Sequence, residues 1–159
     1  MGFQNSVKSD PAFAVEGDFA SGNPRSAVVA PGGAFVAGAA GVTVGQFAWI
    51  QADGITVLNT GTGKPNGFVH REQQALITAY LADSSNVIPA GFPVTLMRNG
   101  DYYDKATVAG ATLGQKAFAK LADGTMQAAA AGATVGGYIE TDFVIANTCL
   151  INELAVISL

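Results

Sequence analysis

Apolar residues in this chain come in short alternating runs separated by glycine, proline, asparagine and aspartate, the pattern of half-buried strands joined by tight turns. Phe47-Ala48-Trp49-Ile50 and Ile55-Thr56-Val57-Leu58 flank Asp53-Gly54, whose glycine supplies the positive φ that a tight hairpin needs. Further strands are predicted at Ser26 to Val29, Phe68-Val69, Tyr138 to Ile145, Leu150-Ile151 and Leu154 to Ile157, while Ala34 to Ala40 is a small-residue run leading into the first repeated unit. Asn99-Gly100-Asp101 is a turn before Tyr102-Tyr103. On the strand from Tyr138, the side chains of Tyr138, Glu140 and Asp142 face one way and those of Ile139, Thr141 and Phe143 the other. Pro89 and Pro93 cannot donate to a ladder, so the first half of Val87 to Met97 is an edge or a bend.

One phrase occurs three times: AGVTVGQ at 40–46, AGATLGQ at 109–115 and AGATVGG at 131–137. After the first two copies the likeness continues to Ala52-Asp53-Gly54 and Ala122-Asp123-Gly124. Each unit reads as turn, strand, hairpin, strand. The irregular spacing of the copies argues against a solenoid and for repeated β-elements around one core. The fold class is all-β, a small β-barrel or jelly-roll-like sandwich, with strand order left open. At most one short helix is expected, at 72–81, where Leu76, Ile77, Tyr80 and Leu81 share a helical face yet Ile77, Thr78 and Tyr80 suit a strand equally.

Residues 1–31 read differently from the body at 32–159, which carries the three related turn-strand units. Pro11, Pro24 and Pro31 punctuate this leading stretch, and Phe3, Val7, Phe13, Val15 and Phe19 follow no helical period. It reads as an extended N-terminal arm. Its three phenylalanines are too many for a disordered tail. They suit anchorage in a neighbour's grooves or along the arm's own domain.

Composition sharpens this picture in one respect. The chain of 159 residues is 49% hydrophobic but only 13% charged, about half the ~25% usual for soluble domains. Such a surface is expected to be partly covered by other protein, because large exposed apolar patches mark contacts. The net charge of −4 and the lack of any Lys or Arg run disfavour nucleic-acid binding. No apolar run approaches the ~18 residues of a membrane helix, and MGFQNSVKSD has no signal-peptide core.

Candidate chemistry dissolves on inspection. His70 is the one histidine, and a lone histidine without partners is more often a hydrogen-bonding residue than a catalyst. Cys149, in an apolar run, reads as a buried inert thiol. Asp53 and Asp123 stand singly in Ala-Asp-Gly turns and lack an alternating calcium-loop pattern. Asn59 to Lys64 echoes a phosphate loop without its spacing. Glu140 and Asp142 share a strand face but lack the second element a glycosidase would require. No catalytic residue, cofactor site or metal site is read.

Four stretches together resemble the structural cement proteins of tailed-bacteriophage heads: GDFASGNPR at 17–25, VGQFAW at 44–49, IPAGFPV at 88–94 and GGYIETDF at 136–143. They occur in order over nearly the whole chain, and the first is the most specific. The resemblance implies a decoration protein on the outer surface of the virion, assembled in the host cytoplasm. Its partners would be the major capsid protein and other copies of itself, as dimers or trimers on the shell. It also implies a barrel or jelly-roll-like body with an extended terminal arm, and no catalysis. The arm's Phe3, Phe13, Phe19, Asn23, Pro24 and Arg25 are then the capsid-contact candidates. A competing reading is a carbohydrate- or receptor-binding β module displaying Trp49, Tyr102 and Tyr103, although Trp49 in an alternating run suits a core.

Overall fold

The structure, a computed structural model, describes residues 13–72 and 86–159. Within them the chain forms strands β1 (Ser26–Ala27), β2 (Phe35–Ala37), β3 (Val42–Thr43), β4 (Phe47–Ile50), β5 (Thr56–Leu58), β6 (Gly67–Val69), β7 (Val87–Ile88), β8 (Pro93–Val94), β9 (Leu96–Asn99), β10 (Asp101–Lys105), β11 (Lys116–Lys120), β12 (Met126–Ala129), β13 (Tyr138–Ile145) and β14 (Leu154–Ser158). No described residue is helical. Apart from Glu72, the segment expected to be helix or strand at 72–81 lies outside the described residues, as does Phe3.

The strands make a sandwich, not a closed barrel. One sheet has the order β1-β9-β6-β4-β5-β2-β8, the other β10-β14-β13-β11-β12, and β3 pairs with β7 in a separate two-stranded ribbon. Both Asp-Gly turns form the expected hairpins, β4–β5 and β11–β12. In each, the aspartate carboxylate closes the turn. Asp53 accepts from the N–H groups of Ile55 and Thr56, and Asp123 from the N–H and hydroxyl of Thr125. The two prolines act as expected: β7 leaves the main sheets for the ribbon, β8 is an edge strand, and only β9 enters the sheet interior. Gly100 is the corner at which the chain passes from one sheet to the other.

The seven-stranded sheet is buried on both faces. Phe47, Phe68 and Met97 lie side by side in register and point at the second sheet. Ala48, Val69 and Leu96, one residue along each strand, point into a second core capped by Val42 of β3 and Ile88 of β7. Alternate side chains of β4 and β6 thus feed different cores, which is why these strands are apolar at every position. The second sheet has one buried face. On β13, Thr141, Phe143 and Ile145 are buried and Asp142 is exposed, the expected alternation.

The first two repeats are structurally equivalent. Gly45 donates to the Val69 carbonyl and Val69 donates back to Gln46; Gly114 donates to Ile145 and Ile145 back to Gln115. Each then enters a hairpin, β4–β5 or β11–β12, whose first strand pairs with a third strand, β6 or β13. The third copy feeds β13 directly and has no hairpin of its own.

The two hairpin turns differ in surroundings. Both glycines have positive φ, +72° at Gly54 and +76° at Gly124. A Cβ on Gly54 would meet nothing, whereas one on Gly124 would lie 2.1 Å from the Phe47 carbonyl oxygen. Gly54→Ala is therefore expected to cost about 1 kcal/mol from backbone strain alone. Gly124→Ala should cost clearly more, as read by urea unfolding followed through Trp49 fluorescence. Equal costs would show that the second turn is not docked on β4. In the same assay Phe68→Ala, which empties a fully buried site, should cost about 3–5 kcal/mol.

Candidate functional site

β10 has β14 on one side and the leading segment of the chain on the other. Gly17 N–H donates to the Tyr103 carbonyl at 2.7 Å, Tyr103 N–H to Asp18 at 2.9 Å, and Ala20 N–H to Asp101 at 2.9 Å. Phe19 faces Tyr102 in an antiparallel bridge, and Arg71 N–H reaches the Gly17 carbonyl. Residues 17–20 thus lie along the edge of the five-stranded sheet as an irregular added strand.

Side chains lock this strap in place. The Phe19 ring lies between the Arg25 guanidinium, 3.7 Å above its centroid, and the His70 imidazole, stacked at 4.4 Å. An aromatic face attracts a cation at this distance. Arg71 pairs with Asp18 at 3.1 Å. The turn that follows is gathered by one carboxylate. Asp101 accepts from Ser21 Oγ at 2.5 Å, Asn23 Nδ2 at 2.6 Å and Ser158 Oγ at 2.6 Å. These donors, Ser158 first and then Ser21, hold the Asp101 carboxyl below its ordinary pKa despite opposing desolvation.

Of the contact candidates described, Phe13 is 83% exposed and touches Tyr103 edge-on. Asn23, Pro24 and Arg25 are exposed. Phe19 is half-buried and committed to its own domain. The structure brings Phe19, Asn23 and Arg25 together around β10. It also adds His70, Asp101 and Tyr102, which the sequence offered no signal for combining.

A family model described as XM1 gp53 minor capsid protein matches residues 3–159. The chain belongs to that minor capsid protein family. A solved structure titled "The capsid of Myoviridae Phage XM1" contains a chain of the same fold. The TM-score is 0.69 and the identity 18%, over 99% of this chain and 97% of that one. No curated protein matches the sequence. The protein is a structural virion protein associated with the phage capsid shell.

The side chains that the sequence offers as candidate chemistry are engaged structurally. Asp142 pairs with Lys64, and Glu140 accepts from Gly132 N–H at 2.7 Å. The loop at 59–67 is bound inward: Asn59 bonds the backbone of Thr43 and Phe47, and Trp49 Nε1–H donates to Gly63. Cys149 is buried. No group of three or more metal-ligating side chains occurs among the described residues. Trp49 and Tyr102 lie in the core, so the aromatic platform of a glycan-binding module does not form around them. A cleft of about 440 Å³ between the sheets has Phe47 and Phe143 in its wall and Lys64, Arg98 and Asp142 among its polar lining.

Asp101→Asn removes the charge that gathers Ser21, Asn23 and Ser158. Amide exchange in residues 21–25 is expected to rise about tenfold, the size of one charged hydrogen bond. Because the Asp101 pKa is lowered, this hold is complete above the ordinary carboxylate value. It is lost as pH falls below about 4 through the depressed folded value. An exchange series from pH 3 to 7 reads both effects.

Proposed function

We propose that this protein is a cement or decoration protein on the outer surface of the phage head. There it braces contacts between major capsid proteins and carries out no catalysis. The observation that supports this most is what the surface displays. Phe13, Val29, Leu113 and Leu150 are each between 65% and 84% exposed on a chain with few charges. Scattered apolar exposure is normal in soluble proteins, but here it coincides with a minor capsid family and with candidate residues already engaged in turns and ion pairs. A clamp of this kind works by buried area and avidity: weak contacts repeated over a symmetric shell stiffen it collectively.

In this reading residues 1–31 act as an arm on the body formed by 32–159. Phe13, Asn23, Pro24 and Arg25 form its exposed contact face with the capsid, and Phe3 is a further contact candidate from the sequence. The copies act as dimers or trimers on the shell.

Shells assembled without the protein should release their DNA at a lower temperature than complete shells, and adding purified protein should restore the difference. Phe13→Ala should lower occupancy in co-sedimentation several-fold while leaving the fold intact. Identical release temperatures with and without the protein, or its location inside the shell in an electron cryomicroscopy map, would overturn the proposal.

A further inference from the structure

Among the described residues two buried side-chain atoms have no hydrogen-bond partner, His70 Nδ1 and Asp104 Oδ2. Native interiors leave few such atoms, and each calls for a reason. Both groups adjoin the strap. His70 stacks on Phe19. Asp104 follows Tyr103, the residue the strap bonds twice. Glu16 of the strap is near enough to act on Asp104 electrostatically.

We propose that residues 13–20 form a releasable strap, seated on β10 while Asp104 is protonated and lifted when Asp104 ionises. Asp104 is 2% exposed and its Oδ1 accepts only the Lys105 N–H. An ionised carboxylate so placed would carry a desolvation cost that one hydrogen bond does not offset. Burial is the main cause holding its carboxyl protonated well above the usual range, and the like charge of Glu16 adds to it.

The surrounding charges give no relief. The Lys105 ammonium lies 3.8 Å from Glu16 and forms no ion pair with Asp104. β14 sets Leu154, Ala155 and Val156 opposite this part of β10, and none of them titrates.

The strap is also the cheaper side to open. It holds β10 by the three backbone bonds given above, whereas β14 is in register with all five residues of β10. Local opening follows such differences in bonding and burial. His70 acts in the opposite sense. Burial lowers its pKa against the pull of Glu72, with Arg25 adding to the lowering, so its charging stresses the seat only as pH falls below about 6.5. With Asp104 raised, its stabilising share is complete below about pH 4 and is lost as pH rises through the folded value. Release on raising the pH therefore belongs to Asp104. The device is a property of the free chain and stands whether or not the strap touches a shell.

The test is hydrogen exchange on the full-length protein from pH 5 to 9, corrected for intrinsic rates, with Trp49 fluorescence reporting the body. The amides of Gly17 and Ala20 should lose protection as pH rises while those of β13 and β14 hold. Between the ordinary carboxylate value and the raised value of the seated state, the opening constant should grow by up to about tenfold per pH unit, and it should level off above that. Asp104→Asn should flatten this dependence. Glu16→Gln removes the like charge that the seated strap brings to Asp104, so the loss of protection should level off at a lower pH and be smaller in total than in the wild type; a loss as large as or larger than the wild type's overturns the assigned role of Glu16. Protection that is independent of pH in the wild type, or an unchanged fall in Asp104→Asn, overturns the proposal.

Discussion

Four aromatic rings join the two sheets, and the rest of the structure is arranged around them. Phe68 lies 5.4 Å from Phe47, 5.2 Å from Tyr102 and 6.5 Å from Phe143, with Phe47 and Phe143 in contact across the sandwich at 5.8 Å. Tilted and edge-on pairs of this kind add to the large apolar area each ring buries. Tyr102 belongs to the set because its hydroxyl donates to the Asn99 carbonyl. The phenol is buried, and its desolvation, with the nearby Asp101 charge adding to it against Arg25, pushes its pKa up to about 12. Strand β10, and with it the seat of the strap, is therefore fixed by the core and not by the surface.

The two long repeats explain how a chain of short strands reaches such a core. The first repeat contributes the centre of the larger sheet and the second the β11–β12 end of the smaller one, each with the same exchange of hydrogen bonds between its glycine-glutamine step and a neighbouring strand. The turn of the second repeat then meets the first: Phe47 N–H donates to the Gly124 carbonyl at 2.9 Å. The sandwich is thus two copies of one element facing each other, sealed on the far side of the larger sheet by the β3–β7 ribbon. The third copy supplies only a turn, which leads directly into β13, the partner of β11.

For a structural virion protein this economy has a functional consequence. The carboxylates at 53, 101, 123 and 140 all bind backbone or hydroxyl groups of their own chain, so the charge the protein has goes largely into holding turns. With so few charges left over, the exposed surface offers mainly apolar side chains such as Phe13, Val29, Leu113 and Leu150 beside a few polar ones such as Asn23 and Arg25, a mixture that favours contacts made by fit over steering by long-range fields.

Much of this was readable along the chain. Alternation, Asp-Gly turns and the placement of Pro89 and Pro93 report local backbone requirements, and those requirements survive folding unchanged. Most of the strands, both hairpins, the all-β class, the burial of Cys149 and the turn roles of Asp53 and Asp123 followed from them, whereas Leu150-Ile151, read as a strand, is exposed and in no strand. Other features depend on contacts between residues far apart in the chain. The continuous burial of β4 and β6 arises because their sheet is covered on both faces. The choice of a sandwich over a barrel depends on strand order, which local pattern does not encode. The meeting of Phe19 with Arg25 and His70, and the burial of Asp104 beside Glu16, required β6, β10 and the strap to converge. A single carboxylate on an alternating strand looks the same in the sequence whether it faces water or the core, and only packing chose the core.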